Sequence, residues 1–170
     1  MFQTGEKVVC GSKGVCSVED IATLDISGVD KEREYYILKP LYMVASTVYV
    51  PVDTAQSSLR KVLSYDEAKD LIARMPTIPL ITMSNEKVLG QEYKNCLKTE
   101  LCEEWVKVIK TIWNRKQKRI EAGRKVTAVD ARYLKIAQDC LFGELAVALS
   151  MPREDVEEYI TEHLENAVCV

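Results

Sequence analysis

The sequence predicts an α+β protein in which a small antiparallel, β-barrel-like module is followed by an all-α helical bundle. Two patterns carry this reading and a third divides them. The first sixty residues hold short runs rich in Val, Ile and Tyr, punctuated by Gly, Ser, Asp and Pro, as strands joined by turns do. Beyond residue 84 the apolar residues recur every three or four positions, the period of amphipathic helices. Between them Met75-Pro-Thr-Ile-Pro79 sets two prolines close together, and no regular helix continues through such a pair. The expected divisions are a sheet module over 1–62, a short helix and proline-containing linker over 63–83, and a helical domain over 84–170.

In chain order, the expected strands are Lys7–Cys10, Gly14–Glu19, Tyr35–Lys39 and Thr47–Pro51, with Leu59–Val62 as a fifth strand or the exit from the sheet. Gly11-Ser-Lys-Gly14 places glycines where a tight hairpin needs unusual φ, and Ser27-Gly-Val-Asp30 forms the next turn. Those glycines do not make a phosphate loop, because no Gly-Lys-Ser or Gly-Lys-Thr and no helix pattern follows them. Alternation in Thr47-Val-Tyr-Val50 turns Val48 and Val50 inward and leaves Thr47 and Tyr49 facing out. Ser64-Tyr-Asp-Glu67 is a capping box that opens a short helix running to Arg74.

In the second half, Ser84 is expected to cap a helix whose Leu89, Tyr93, Cys96 and Leu97 form a buried stripe. The next helix, Leu101–Gly123, carries a longer stripe of Leu101, Trp105, Val108, Ile109, Ile112 and Trp113. Its opposite face, with Lys107, Lys110, Asn114 and Lys118, is cationic and expected to face outward. Lys116 and Arg119 occupy angles that were apolar one or two turns earlier, so the last two turns leave the core, and Gly123 ends the helix. Thr127-Ala-Val-Asp130 begins a helix to about Ser150 that is apolar nearly all round from Cys140 to Leu149, which marks the centre of a bundle. Gly143 within it allows close helix approach. Pro152 opens the last helix, with acids in its first turn.

At 170 residues the chain buries a sizeable core without a metal or disulfide. The six cysteines, at 10, 16, 96, 102, 140 and 169, include no Cys-x-x-Cys pair, and His163 is the only histidine. They read as reduced, mostly buried thiols, and neither a metal site nor a cofactor is expected. Nothing reads as catalytic: the Glu103/Glu104 and Glu157/Glu158 pairs are adjacent on exposed faces, and the core positions of Cys96 and Cys102 argue for inert thiols despite their basic neighbours. No apolar run reaches membrane-spanning length, and MFQTGEKVV lacks the features of a signal peptide, so a cytoplasmic protein with no membrane association is expected. The net charge of −3 conceals segregation. Ser84–Gly143 carries 13 lysines and arginines against 8 acids, a local +5, whereas Glu144 to the end carries one arginine against seven acids, a local −6. A partner feels the local field.

The run of Phe2, Gly5, Val8, Val9, Gly11, Gly14, Val15 and Val18, followed by Tyr35-Tyr-Ile-Leu-Lys39, Val48-x-Val50-Pro51 and Leu59-Arg60, resembles the RNA polymerase-interacting domain of CarD-type bacterial transcription regulators. That Tudor-like module is shared with the transcription-repair coupling factor. Tyr93-Lys94, Leu97-Lys98, the Val106 to Arg115 run and Leu141-x-Gly-Glu-Leu-Ala146 resemble the family's helical DNA-binding domain. The resemblance implies a non-enzymatic regulator that binds the RNA polymerase β subunit through its sheet and promoter DNA, at the upstream bubble edge, through its helices, modulating open-complex stability. A monomer is expected. Ile26, Thr47 and Tyr49 are the candidates for polymerase contact. Lys94, Lys98, Arg115, Lys118, Arg119 and Arg132 are the candidates for the phosphate backbone, with Lys94 and Arg132 resting partly on the resemblance. Leu89 stands where many members carry a tryptophan wedged into the minor groove, and it also continues a core stripe, so both readings are open. Two departures stand out: Cys10-Gly-Ser-Lys13 replaces a frequent Tyr-Pro-x-His, and Tyr49 stands where some members use an arginine. The competing class is a protein–protein adaptor whose basic helix binds an acidic partner without DNA.

Overall fold

A computed structural model describes residues 1–44, 47–82 and 85–168, with side chains through residue 164. The chain divides into two compact units, Met1–Val62 and Leu63–Val170. In the first, β1 (Lys7–Val9), β2 (Val15–Thr23), β3 (Glu34–Pro40), β4 (Val48–Pro51) and β5 (Arg60–Lys61) form one antiparallel sheet in the order β4-β3-β2-β1-β5, curled as a half-barrel. Val8, Cys16, Val18, Tyr36, Leu38, Val50, Ala55 and Leu59 fill its concave side.

Strand β2 runs four residues past the expected end at Glu19. The register with β3 slips between Val18 and Asp20, so one extra residue bulges out and the alternation that marks a strand is interrupted there. Val15, Cys16, Ser17 and Val18 are buried consecutively, which hid the period of two. Gly11 and Gly14 both take positive φ, at 48° and 68°, the first opening a 3-10 turn at Gly11–Lys13 and the second closing it.

In the second unit α1 spans Tyr65–Arg74, α2 Glu86–Lys98, α3 Cys102–Glu121, α4 Ala128–Leu149 and α5 Val156–Val168. The capping box forms as expected: Ser64 Oγ accepts from Glu67 N–H, and the Glu67 carboxylate accepts from Ser64 N–H. The segment read as a linker belongs to this unit, because α1 packs against α4 and α5. The expected caps Ser84 and Pro152 are superseded or fall outside view. Ser84, like Cys169, lies outside the described residues, and Asn85 caps α2 by accepting from Lys87 N–H. Pro152 precedes a 3-10 turn at Arg153–Asp155 that leads into α5.

Helix α3 requires two corrections. Leu101 and Trp113 are exposed, at 56% and 38%, because the buried arc is centred on Trp105, Val108 and Ile112 and also takes in Cys102, Val106 and Thr111. Leu101 sits at the N-cap and Trp113 at the margin of that arc, under the Lys116 ammonium. Lys110 is not an outward cation. Its Nζ donates to the carbonyls of Met75, Pro76 and Ile78 at 2.9, 3.1 and 2.5 Å, acceptors left open where the prolines end α1. The last turns do leave the core. They close with paired bonds from Gly123 N–H to Ile120 O and Arg124 N–H to Arg119 O, around a glycine at φ 70°, the Schellman arrangement.

Glu144 lies at the centre of this unit with no solvent exposure. One carboxylate oxygen accepts from Leu63 N–H and the other from the Cys102 thiol, each at 3.0 Å. The first backbone amide of the unit is thereby tied to the middle of its most buried helix. Glu144→Ala should lower the unfolding free energy by roughly 3 kcal/mol, because buried donors lose their acceptor and a cavity opens. Glu144→Gln, which keeps an acceptor and the volume, should lose clearly less. Equal losses in urea denaturation of the two variants would show that volume alone matters there.

Candidate functional site

On the sheet unit, β4 is an end strand. Tyr49 pairs across to Ile37 while Val48 and Val50 pair with Leu38 and Tyr36. The strand alternation therefore holds: Val50 is buried, and Thr47 and Tyr49 are exposed. Ile26 is exposed too, but it lies in the β2–β3 connection, at the end of β3 where Thr23 faces Glu34 and Pro51 faces Tyr35. Thr47 lies beyond the opposite end. The three candidates are thus spread along one border of the sheet rather than gathered at a point. Sequence reading missed the β3–β4 connection, where Leu41, Tyr42 and Val44 are all exposed. Three apolar side chains in one turn were the available signal.

On the helical unit, three helices meet around a buried carboxylate. Asp130, in the first turn of α4, is 2% exposed. Its Oδ1 accepts from Tyr93 Oη of α2 at 3.1 Å, and its Oδ2 from Arg115 Nε of α3 at 3.2 Å. Burial first, and then the Asp130 carboxylate, push the Tyr93 phenol up, so it stays a donor. Burial works against the charge on Arg115, but Glu86 and Asp130 outweigh it and hold the guanidinium above its ordinary range.

The six cationic candidates fall into two groups. Lys94, Lys98, Lys118 and Arg132 are exposed. Lys94 and Arg132 are brought to one side, since Arg132 lies over the Tyr133 ring at 5.6 Å and that ring packs on Tyr93, centroids 5.6 Å apart. Arg115 and Arg119 are engaged internally instead. Arg115 also reaches Glu86, and Arg119 Nε donates to Lys125 O at 2.8 Å while its NH1 lies 3.6 Å from Glu86. Around them stand three exposed cations that sequence reading passed over: Lys87, Arg124 and Lys125. Lys87 was legible, because it shares the α2 face of Lys94 and Lys98 at i+7 and i+11.

Leu89 is 3% exposed, which resolves its two readings in favour of the core. The stripe of Leu89, Tyr93, Cys96 and Leu97 is buried along its length. The exposed apolar side chains at this end are Val88 and Val129, at 39% and 48%. Val129 packs close to Gly90, where an added Cβ would meet its Cγ1 at 3.4 Å. The thiols are unremarkable chemically. Burial and then Glu104 push Cys96 up to about 12, so it is no nucleophile near neutral pH. Among the described residues no three His, Cys, Asp or Glu side chains gather as metal ligands, and no helix is long and apolar enough to cross a membrane.

Leu89→Ala should therefore cost about 2–5 kcal/mol in stability by thermal or urea unfolding. A loss well under 1 kcal/mol would mean that Leu89 is not held in this core.

No curated protein matches the chain. Residues 2–63 match the family model of the CarD-like/TRCF RID domain, a span that takes in all five strands of the sheet unit and marks that unit as similar to this domain.

Proposed function

We propose that this chain is a bacterial, cytoplasmic transcription regulator that binds the RNA polymerase β subunit through its sheet unit. Through its helical unit it contacts promoter DNA at the upstream bubble edge and modulates open-complex stability, acting as a monomer without catalysis or cofactor. The match of residues 2–63 to the CarD-like/TRCF RID domain carries the reading. Geometry supports a docking mode. An end strand offers unpaired backbone groups to a partner strand, and β4 presents Tyr49 on the exposed face beside that edge. The exposed Leu41, Tyr42 and Val44 extend the apolar border.

For DNA, the supporting observation is a set of exposed cations on the helical unit. Lys87, Lys94 and Lys98 line one face of α2, with Arg132 on α4 and Lys118, Arg124 and Lys125 around the α3–α4 turn. The apolar tips among them are Val88 and Val129, which take over from Leu89 the part of contacting a partly opened base step.

Tyr49→Ala should keep its fold and bind core polymerase about 30-fold more weakly, the effect of losing an anchor of ~2 kcal/mol. Unchanged retention on immobilised polymerase would remove Tyr49 from the interface. Charge reversal of Lys94 together with Arg132 should weaken binding to a polymerase–promoter complex for all sequences alike. It should also flatten the dependence of log K on log salt by roughly 0.9 per lost phosphate contact. The same slope in wild type and variant would make this face merely solvated, and polymerase-independent capture of an acidic protein would favour an adaptor.

A further inference from the structure

We infer that Glu86 is an intramolecular stand-in for a DNA phosphate, holding Arg115 and Arg119 in a closed ion pair that duplex DNA must displace. The inference rests on the DNA-binding reading above and concerns how that site is regulated.

The geometry separates two kinds of anchor. Arg115 Nε is fixed by the buried Asp130 and Arg119 Nε by the Lys125 carbonyl. Both anchors are independent of Glu86. The terminal nitrogens of the two guanidinium groups then converge on one oxygen, Glu86 Oε1, at 3.2 and 3.6 Å. The arginine side chains are only about a quarter exposed, at 25% and 26%, whereas the Glu86 side chain is 65% exposed. If Glu86 rotates away, the Nε bonds still hold both guanidinium planes, and their outer donors face the opening that Glu86 leaves. Such a pair of pre-oriented forks suits a phosphate, whose oxygens accept two parallel N–H bonds.

Exchange is favoured by the surroundings. An ion pair this open to water contributes little and is readily screened. Lys87 adjoins Glu86 in sequence, Lys118 adjoins Arg119, and Arg124 and Lys125 belong to the turn whose carbonyl holds Arg119, all four exposed; a positive field of this kind lowers the free energy of an anion. Glu86 is the first residue of α2, so its charge offsets the positive end of that helix as well as the two arginines. Removing the carboxylate therefore exposes three sources of positive potential at once. Asp130 has the opposite design: buried, bonded on both oxygens and serving the fold.

The test uses the full chain, fluorescently labelled and titrated onto a preformed polymerase–promoter complex over roughly 50–200 mM salt. Glu86→Gln keeps the side chain's size and its place on an exposed first turn. It should bind several-fold more tightly than wild type and steepen the salt slope by about 1. Glu121→Gln, an exposed glutamate in the last turn of α3, removes the same charge from the same end of the unit and should change binding much less. In an Arg119→Gln background the gain from Glu86→Gln should shrink markedly, as expected of residues that act on each other. Equal binding by wild type and Glu86→Gln overturns the inference, as does a gain that Glu121→Gln reproduces or that survives intact in Arg119→Gln. Loss of all salt-dependent DNA contact in wild type and Glu86→Gln alike overturns the DNA reading itself.

Discussion

Burying one carboxylate commits the helical unit to a particular arrangement of three helices. Asp130 stands at the start of α4, where the free amides of the first turn already favour a negative group, but a charge 2% exposed also needs partners from outside its own helix. Tyr93 of α2 and Arg115 of α3 supply them. With those bonds in place, Tyr93 brings Leu89 inward one turn earlier on α2, and Gly90 lets Val129 of α4 come close. The exposed residues at this end include short apolar side chains, lysines, Arg124, Arg132 and Glu86. What is left uncovered once Asp130 has been satisfied is this lysine-bearing end, and Arg115, fixed to Asp130 through Nε, turns an outer nitrogen to Glu86.

The sheet unit obeys a different constraint. A sheet of five short strands has two ends, and here β5 closes one with only two residues while β4 forms the other with four. Short end strands limit indiscriminate pairing with other chains. β4 keeps four residues and presents a tyrosine at 44% exposure. The bidentate contact of Arg33 with Asp53, with the closest N–O approach at 2.6 Å, pins the 3-10 turn that follows β4 to the β2–β3 connection. The strand that offers its edge is therefore held at one end by side chains outside the ladder.

Most of the fold could be read from sequence because its signals were local. The capping box at Ser64–Glu67, the glycine that closes α3 and the two-residue alternation in β4 each follow from a few adjacent residues, and each occurs as read. The misreadings have a common physical origin, since they depend on what lies opposite. A helical period identifies a stripe but not its margins, so Leu101 and Trp113 were counted with the core although the neighbours of α3 cover only the arc around Trp105, Val108 and Ile112. Lys110 looked like one cation in a row because its acceptors, the carbonyls of residues 75, 76 and 78, are about thirty positions away. Leu89 could not be settled by period alone, since a buried stripe and an exposed wedge share the same spacing.

That distance between a charge and its partner also bears on how a chain of net charge −3 presents a positive surface. The local excess of +5 over Ser84–Gly143 does not say where the field lies, because several of its cations are matched by acids counted in the same sum or by backbone carbonyls. Lys107 is paired with Glu104, Lys110 with backbone carbonyls, and Arg115 with Asp130 and Glu86. Lys135 is paired with Asp139 on the same helix. The exposed cations that remain lie along α2 at Lys87, Lys94 and Lys98, at Arg132 near the start of α4, and at Lys118, Arg124 and Lys125 around the C-terminal end of α3. Of the seven acids of the last segment, Glu144 is buried on α4 and the other six lie on α5 and the turn before it. Screening over about 10 Å at ordinary salt makes an approaching polyanion respond to the exposed lysines and arginines within its reach, not to the sum over the sequence.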